Sequence, residues 1–312
     1  MKSGKIYFLF FSISIVCFAK VRAQQDPMYS MYMFDKMLVN PAFCGSSNWA
    51  VGTIKSREQF LGLQGRPSTQ TINFHSPIQA KHIGLGGKII KDKLAIINNL
   101  SVTGVVSYHL NFAGGKLSFG LEAGIHNRKI NYNDLVVSTL GDNALINEGV
   151  RASTKPDVSF GTYYQKKQFY FGISGYHLLK SNFSFGETNG NSHLYNHLYI
   201  IAGNVFQINK SLTYEPSILI KKQGSSATQI DLNNMFYYEE KFGLGIQYRT
   251  QDALVFIARY NISEAFRVSY SYDMTVSKFS KYSKGAHEIL ISYGIKLPPP
   301  PTQKEIHPRY YF

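Results

Sequence analysis

Apolar and polar residues alternate along much of this chain. The clearest run is 265–277, where every second residue is apolar: Phe266, Val268, Tyr270, Tyr272, Met274 and Val276. Similar runs occupy 119–126, 242–249 and 289–297. Successive side chains of a β-strand point to opposite faces. This period of two therefore predicts strands with one apolar face and one face of Gly, Ser, Thr, Gln, Arg and Glu.

The alternating segments number about fourteen, and many contain ten residues or more. They are 49–60, 69–76, 82–91, 100–112, 116–130, 156–165, 168–178, 197–208, 211–222, 228–238, 242–249, 253–262, 265–276 and 286–297. Strands in soluble β-sandwiches usually have about five or six residues, whereas a tilted strand needs roughly nine to eleven to cross a bilayer. The lengths therefore favour an all-β fold, a transmembrane antiparallel β-barrel of about 14 strands, over a soluble β-sandwich.

The links between these segments differ in length in a regular way. Those after even-numbered segments include the short links 113–115, 166–167, 209–210, 239–241 and 263–264, and those after odd-numbered segments include the longest, 131–155 and 179–196. Bacterial outer-membrane barrels have short periplasmic turns and longer extracellular loops. An even strand number with this asymmetry predicts that both ends of the chain lie on the periplasmic side.

The composition agrees with a membrane barrel. Charged residues make up 17% of the chain and aromatic residues 14%, against about 25% charged residues in a typical soluble protein. Tyr and Phe near predicted strand ends, at 163–164, 169–171 and 237–238, are typical of the aromatic belts at membrane boundaries. Two cysteines exclude a disulfide scaffold and a Cys-based zinc or iron–sulfur site.

The first 23 residues predict a secretory signal peptide. Lys2 and Lys5 precede an apolar run at 6–19, and residues 21–23 fit a small-residue cleavage site. Cleavage there removes four basic residues, so the formal net charge falls from +14 to +10. Because the remaining lysines are dispersed and the chain is exported, anionic lipid headgroups or an acidic partner explain this charge better than nucleic acid.

The sequence contains no recognisable catalytic, cofactor or metal motif. Its nine histidines are scattered along the chain. The glycine-rich run at 84–88 lacks phosphate-loop spacing and lies in an alternating segment, where glycines relieve crowding inside a barrel. An enzyme with catalytic residues at the outer rim of the barrel, among them His126, is an alternative. The acidic residues near His126 are instead expected to be solvated loop charges: Asp134, Asp142, Glu148 and Asp157.

Residues 24–48 do not alternate and predict a non-strand segment. It carries an apolar patch between Met28 and Phe34, and Asn40 and Pro41 form a turn or cap. Such a segment is expected to plug the lumen or to pack under the barrel. The chain then divides into a signal peptide (1–23), an N-terminal periplasmic or plug segment (24–48), the barrel (49–297) and a Pro-rich tail (298–312).

This N-terminal region resembles the PorP/SprF family of type IX secretion outer-membrane proteins. The matching pieces are Gln25-Asp26-Pro27, Tyr29-Ser30, Tyr32-Met33-Phe34, Asn40-Pro41-Ala42-Phe43 and Gly45-Ser46, followed by Arg57-Glu58-Gln59-Phe60 and Thr69-Gln70-Thr71. The likeness is specific over residues 25–76 and extends to the aromatic C-terminal end. Cys44 stands where the family pattern leads us to expect Ala.

The resemblance implies a non-enzymatic barrel in the outer membrane of a Gram-negative bacterium that needs no cofactor and serves type IX secretion or gliding. The implied partners are the periplasmic ring lipoprotein and its partner subunit, a peptidoglycan-binding lipoprotein, or a large secreted adhesin whose export or surface attachment it supports. We expect partner binding at seven residues: Tyr29, Tyr32, Met33, Phe34, Asn40, Pro41 and Arg57. A diffusion channel or hydrophobic-solute transporter is the alternative function.

Overall fold

Fourteen antiparallel strands close into a barrel, as the alternation predicts. The structure is a computed structural model that describes residues 26–134, 149–183, 192–224 and 226–298. The strands are β1 (Trp49–Glu58), β2 (Ser68–Ile78), β3 (Ile83–Leu94), β4 (Ile97–Phe112), β5 (Gly115–Asn131), β6 (Val150–Lys166), β7 (Phe169–Tyr176), β8 (His197–Gly203), β9 (Leu212–Gln223), β10 (Gln229–Tyr238), β11 (Phe242–Arg249), β12 (Ala253–Asn261), β13 (Phe266–Thr275) and β14 (Ala286–Lys296). Residues 1–25, which include the predicted signal peptide, the tail beyond Pro298, and the central parts of the 131–155 and 179–196 links lie outside the described residues.

Each strand pairs with its neighbours in the chain, and β1 pairs with β14 to close the barrel. In that closing pair Arg57 lies directly opposite Glu288. One additional two-residue strand, Phe206–Gln207, pairs with β9. A separate two-stranded hairpin joins Asn182–Phe183 to Ser192–His193. Among the described residues, no helix is long and apolar enough to cross a membrane.

The predicted strand boundaries are wrong at three places in the chain. The expected gap at 92–99 is a two-residue turn, because Ala95 adopts a left-handed φ of 49° that closes a tight hairpin. Strand β6 begins at Val150 rather than at 156, since Pro156 lies opposite Ile125 within the ladder without ending it. The strand predicted at 197–208 ends at Gly203, where the Asn204 side chain accepts a hydrogen bond from the backbone N–H of Val205.

The two faces of the sheet have the predicted character. On β13, Ser269, Ser271 and Asp273 are buried, whereas Tyr270 and Met274 are exposed on the outside. The outer surface is apolar around the barrel, with exposed side chains that include Ile54, Phe74, Leu121, Leu244 and Ile291. Such a band of outward apolar residues is the surface that a bilayer covers.

Three of the aromatic residues assigned to membrane belts, Tyr163, Tyr170 and Tyr237, point inward instead. Tyr163 and Tyr170 are buried in the lumen and stack on each other with ring centroids 6.0 Å apart. Their neighbours Tyr164 and Phe171 occupy the alternate, outward positions. Aromatic identity near a strand end therefore did not decide which face a ring occupies, because the period of two decides it.

The barrel has two distinct ends. At the terminal end, where β1 begins and β14 ends, most connections are short, such as those between β4 and β5 and between β6 and β7. At the loop end lie the longest connections, between β5 and β6 and between β7 and β8. The predicted asymmetry therefore exists, although the β3–β4 turn at the loop end is short.

Candidate functional site

Residues 26–48, the lumen segment, run through the interior of the barrel from the loop end to the terminal end. The segment folds as three short 3-10 turns, Tyr32–Phe34, Lys36–Leu38 and Pro41–Phe43. Met31, Tyr32 and Met33 are buried and pack against inward-facing residues of strands around the barrel: Tyr163, Tyr170, Ile201, Leu219, Met235, Val255, Ile257 and Leu290. The lumen therefore has a hydrophobic core that the segment completes.

A buried charge cluster holds the first half of the segment. It consists of Arg57 (β1), Arg249 (β11), Asp273 (β13) and Glu288 (β14), each 2% exposed or less. Arg57 contacts Asp273 at 2.7 Å and Glu288 at 3.0 Å, and Arg249 contacts Asp273 at 3.0 Å. Pairing of this kind compensates the cost of burying each charge.

Ser30 lies at the centre of this charge cluster. Its hydroxyl donates to the Asp273 carboxylate at 2.7 Å and accepts from Arg57 at 3.0 Å and from Arg249 at 2.9 Å. Its backbone N–H donates to Glu288 at 2.8 Å. Four charged side chains from four strands thus hold one residue of the lumen segment.

The second half of the segment packs directly against glycines of the barrel wall. Asn40 donates from its side-chain amide to the carbonyl of Thr162 at 2.8 Å and accepts from the backbone N–H of Ala42 at 2.9 Å, which caps the third turn. A Cβ at Gly120 would overlap the backbone of Pro41 and Ala42, and one at Gly161 would overlap the Asn40 side chain. The close approach of this turn to the barrel wall therefore requires glycine at these positions.

Cys44 follows this turn and is fully buried. Its carbonyl accepts a hydrogen bond from Ser107 at 2.5 Å. Burial raises the pKa of the Cys44 thiol to about 12, although Lys88 acts in the opposite direction. Since the thiolate is the reactive form of cysteine, this residue is a packing group and not a nucleophile.

At the terminal end, the lumen segment lines an open cavity of about 670 Å³, which we call the vestibule. Its aromatic lining includes Phe34 and Trp49, and the guanidinium of Arg259 lies 4.2 Å from the centre of the Phe34 ring. Charged side chains of both signs surround these rings: Lys36, Glu215, Glu239, Glu240, Lys241, Arg259, Glu264 and Arg267. Burial lowers the pKa of Lys36, while Glu215 nearby favours its charged form.

A family model described as "Type IX secretion system membrane protein PorP/SprF" matches residues 21–293. The chain belongs to the PorP/SprF family. A search of the curated proteins found no match.

Solved structures similar to this PorP/SprF protein are barrels of low sequence identity. A mutant of TodX, a monoaromatic hydrocarbon channel, is 8% identical, with 84% of this chain and 94% of that chain covered and a TM-score of 0.50. A FadL homologue of Pseudomonas aeruginosa is 11% identical, with 83% and 93% covered and a TM-score of 0.48. The CymD monoaromatic hydrocarbon channel is 12% identical, with 83% and 91% covered and a TM-score of 0.47. At these identities the likeness concerns the fold alone.

The seven residues expected to bind partners fall in two places in this PorP/SprF protein. Six of them are buried in the lumen: Tyr29, Tyr32, Met33, Asn40, Pro41 and Arg57. Phe34 is partly exposed and lines the vestibule, which the buried Met33 also lines. Vestibule residues near the ends of strands, such as Arg259 in β12 and Arg267 in β13, gave no sequence signal, because isolated charges close to turns are common.

A second group of polar residues, which sequence reasoning missed, gathers at the loop end of the PorP/SprF barrel. Asp26 of the lumen segment lies against His177 and His197, and Asp157 contacts His177 from the other side. Asp157 was expected to be a solvated loop charge but is buried in β6. Burial would raise the pKa of Asp26, yet the two histidines hold it well below its usual range. The Asp26 carboxylate is therefore ionised.

Proposed function

We propose that this protein is a non-enzymatic outer-membrane component of the type IX secretion machinery that binds a periplasmic partner at its terminal end. The observation that carries the proposal is the family match over residues 21–293, which spans the lumen segment and nearly the whole barrel. Of the partners that the family implies, we propose the ring lipoprotein and its partner subunit.

The filled lumen supports a binding role over a diffusion channel. Met31, Tyr32, Met37 and Ala42 have no exposed surface, so the segment packs against the wall without a wide gap. A channel for diffusing solutes needs a continuous open path, and the described lumen segment occupies that path. The apolar outer wall suits a stable position in the bilayer.

The vestibule supports the choice of the terminal end. In an outer membrane, the short connections of a barrel face the periplasm, so the vestibule would open toward periplasmic proteins. It offers exposed aromatic surface beside guanidinium and carboxylate groups, and aromatic and Arg side chains carry much of the energy of protein interfaces. A partner that inserts an apolar side chain between Phe34 and Trp49 and pairs its charges with the rim fits this surface.

Affinity purification of tagged variants from the native outer membrane tests the proposal. We expect Phe34→Ser combined with Arg267→Glu to lose the ring subunits, as identified by mass spectrometry. The matched control is Tyr282→Ser with Arg66→Glu, which changes an exposed aromatic residue and a half-exposed arginine at the loop end.

Retention of the ring subunits by the vestibule variant, with a folded barrel, would contradict the placement. A second outcome is that the wild-type protein co-purifies with a large adhesin and that only the loop-end control loses its partners. That result would move the binding site to the outer side and favour the adhesin role. Recovery of the wild-type barrel alone, under washes that preserve known complexes, would favour the solute channel.

A further inference from the structure

Three side chains from distant parts of the chain converge at the loop end of the lumen. Asp26 comes from the lumen segment, His177 directly follows β7, and His197 is the first residue of β8. Asp26 Oδ1 lies 2.8 Å from His177 Nε2, and Asp26 Oδ2 lies 2.7 Å from His197 Nδ1. The ligand-type atoms of all three residues lie within 4.8 Å of one another. Both histidines are buried, at 6% and 5% exposure.

The pairing inside this group is incomplete. His177 faces a carboxylate at each ring nitrogen, because its Nδ1 also lies 2.8 Å from Asp157. Without a cation between them, His177 has to carry a proton on both ring nitrogens to serve both carboxylates, because a neutral imidazole has a single N–H and serves only one. His197 Nδ1 is buried beside Asp26 but makes no hydrogen bond with any residue that the structure describes. Within the same residues, no Lys or Arg nitrogen lies within 4.0 Å of Asp26 or Asp157; their ion pairs are with histidines alone.

We propose that Asp26, His177 Nε2 and His197 Nδ1 form a binding site for a zinc ion. Two imidazole nitrogens and one carboxylate are a ligand set that zinc takes with a fourth position left for water or another group. Asp157 would act as the positioning residue, since it accepts the remaining N–H of His177 and fixes that ring with Nε2 toward the metal, as carboxylates do behind metal-bound histidines. One cation would satisfy the Asp26 carboxylate and the unpartnered nitrogen of His197 together.

The space around the group suits this ion. Bond lengths of about 2.1 Å in a tetrahedral site place ligand atoms roughly 3.4 Å apart, so the close pairs here must open by about 0.6 Å. A cavity of about 80 Å³ adjoins all three residues and allows that movement. His126 lines the same cavity, its ring centre lies 6.0 Å from that of His177, and neither of its ring nitrogens has a hydrogen-bond partner among the described residues. His126 is a candidate for the fourth position.

The site would fasten the lumen segment to the barrel wall. Asp26 precedes the charge cluster around Ser30, so the zinc ion would hold the beginning of the segment and the cluster would hold the residues after it. The two histidines lie 151 and 171 positions further along the chain, one at each end of the connection between β7 and β8. This inference does not depend on the proposed secretion role, because a metal-fastened segment is compatible with any partner.

Zinc binding by the purified, full-length protein tests the proposal. The protein carries a Strep tag instead of a polyhistidine tag, is stripped with EDTA in detergent, and is titrated with ZnSO₄ against a competing chelator. We expect one zinc ion per chain. Asp157→Asn should weaken binding roughly 10- to 100-fold, and His197→Ala by more than that. The matched control His82→Ala removes an exposed histidine at the other end and should leave binding unchanged.

Folding is monitored in each variant by the mobility shift of unheated barrels on gels. If His197→Ala does not fold, the wild-type protein loaded with Co²⁺ supplies a second measurement, since tetrahedral coordination by His and Asp gives intense visible absorption. Wild-type binding no tighter than that of His197→Ala, or a Co²⁺ spectrum typical of six-coordinate cobalt, would overturn the proposal. His177 would then be an imidazolium held between two carboxylates.

Discussion

Replacement of Arg57 by methionine tests whether the buried charge cluster stabilises the barrel. Arg57 is 1% exposed and donates to Ser30, Asp273 and Glu288 at 2.7 to 3.0 Å. Methionine keeps most of the side-chain volume, so the change removes charge and hydrogen bonds with little loss of packing. It leaves two buried carboxylates with fewer cations.

The expected loss follows from what remains around those carboxylates. Removing one partner of a buried ion pair costs about 3–5 kcal/mol because the other charge is left uncompensated. Here Asp273 keeps Arg249 at 3.0 Å, and Glu288 keeps Lys55 at 3.6 Å. We therefore expect the lower part of that range, about 3 kcal/mol in the free energy of unfolding.

Arg66→Met is the matched control. Arg66 contacts Glu58 at 3.1 Å, but the two side chains are 45% and 33% exposed. Exposed pairs of this kind contribute about 0–1 kcal/mol. The same chemical change at a similar distance from a carboxylate should therefore cost little.

Reversible urea unfolding in phospholipid vesicles measures both values. The single tryptophan, Trp49, lies at the start of β1 and provides a fluorescence signal, and circular dichroism must give the same transition for a two-state analysis. If Arg57→Met costs less than about 1 kcal/mol, or no more than Arg66→Met, the charge cluster does not hold the lumen segment as we argue.

Three further predictions concern the lumen segment. Gly120→Val should displace the turn at Asn40 and cost about 1–3 kcal/mol in the same unfolding assay. Gly52→Val should cost little, because a Cβ at Gly52 meets no atom within 4 Å. Equal costs would contradict the close packing of this turn against Gly120. Cys44 should not react with a maleimide in the folded protein at pH 8, because with a pKa of about 12 only roughly one thiol in ten thousand is ionised. The same thiol should react fully in urea. Rapid labelling of the native barrel would mean that the lumen segment opens. The intact protein should show no steady conductance in planar bilayers, and deletion of residues 26–46 should create an open pore, so that a conducting intact barrel would count against a filled lumen.

The fold could be predicted from the sequence because a barrel repeats one simple pattern. Each outward residue, such as Ile291 on β14, faces lipid whatever its neighbours are, so a period of two identifies strand, face and approximate length together. The boundaries were less accurate where that pattern weakens, as at Pro156 in β6 and at the Ala95 turn. There, pairing with the neighbouring strand decides the strand's extent, and a single sequence does not show the partner.

The contents of the lumen could not be predicted in the same way. Alternation places Lys55 and Arg57 on the inner face, but a water-filled pore and a packed interior both accept charged inner residues. Which of them meet depends on the register of strands far apart in the chain and on the path of the lumen segment. The group formed by Asp26, His177 and His197 has no local spacing, so no motif could reveal it.

The closing strand pair has a consequence for the order of assembly. Arg57 of the first strand lies opposite Glu288 of the last, and together they hold Ser30, which precedes the whole barrel in the chain. No partly synthesised or unclosed sheet can complete this arrangement, because it requires β1, β13 and β14 at once. The N-terminal residues therefore become fixed in the interior only once the barrel has closed. A chain truncated before β14 would leave them outside any binding site, accessible to periplasmic proteases.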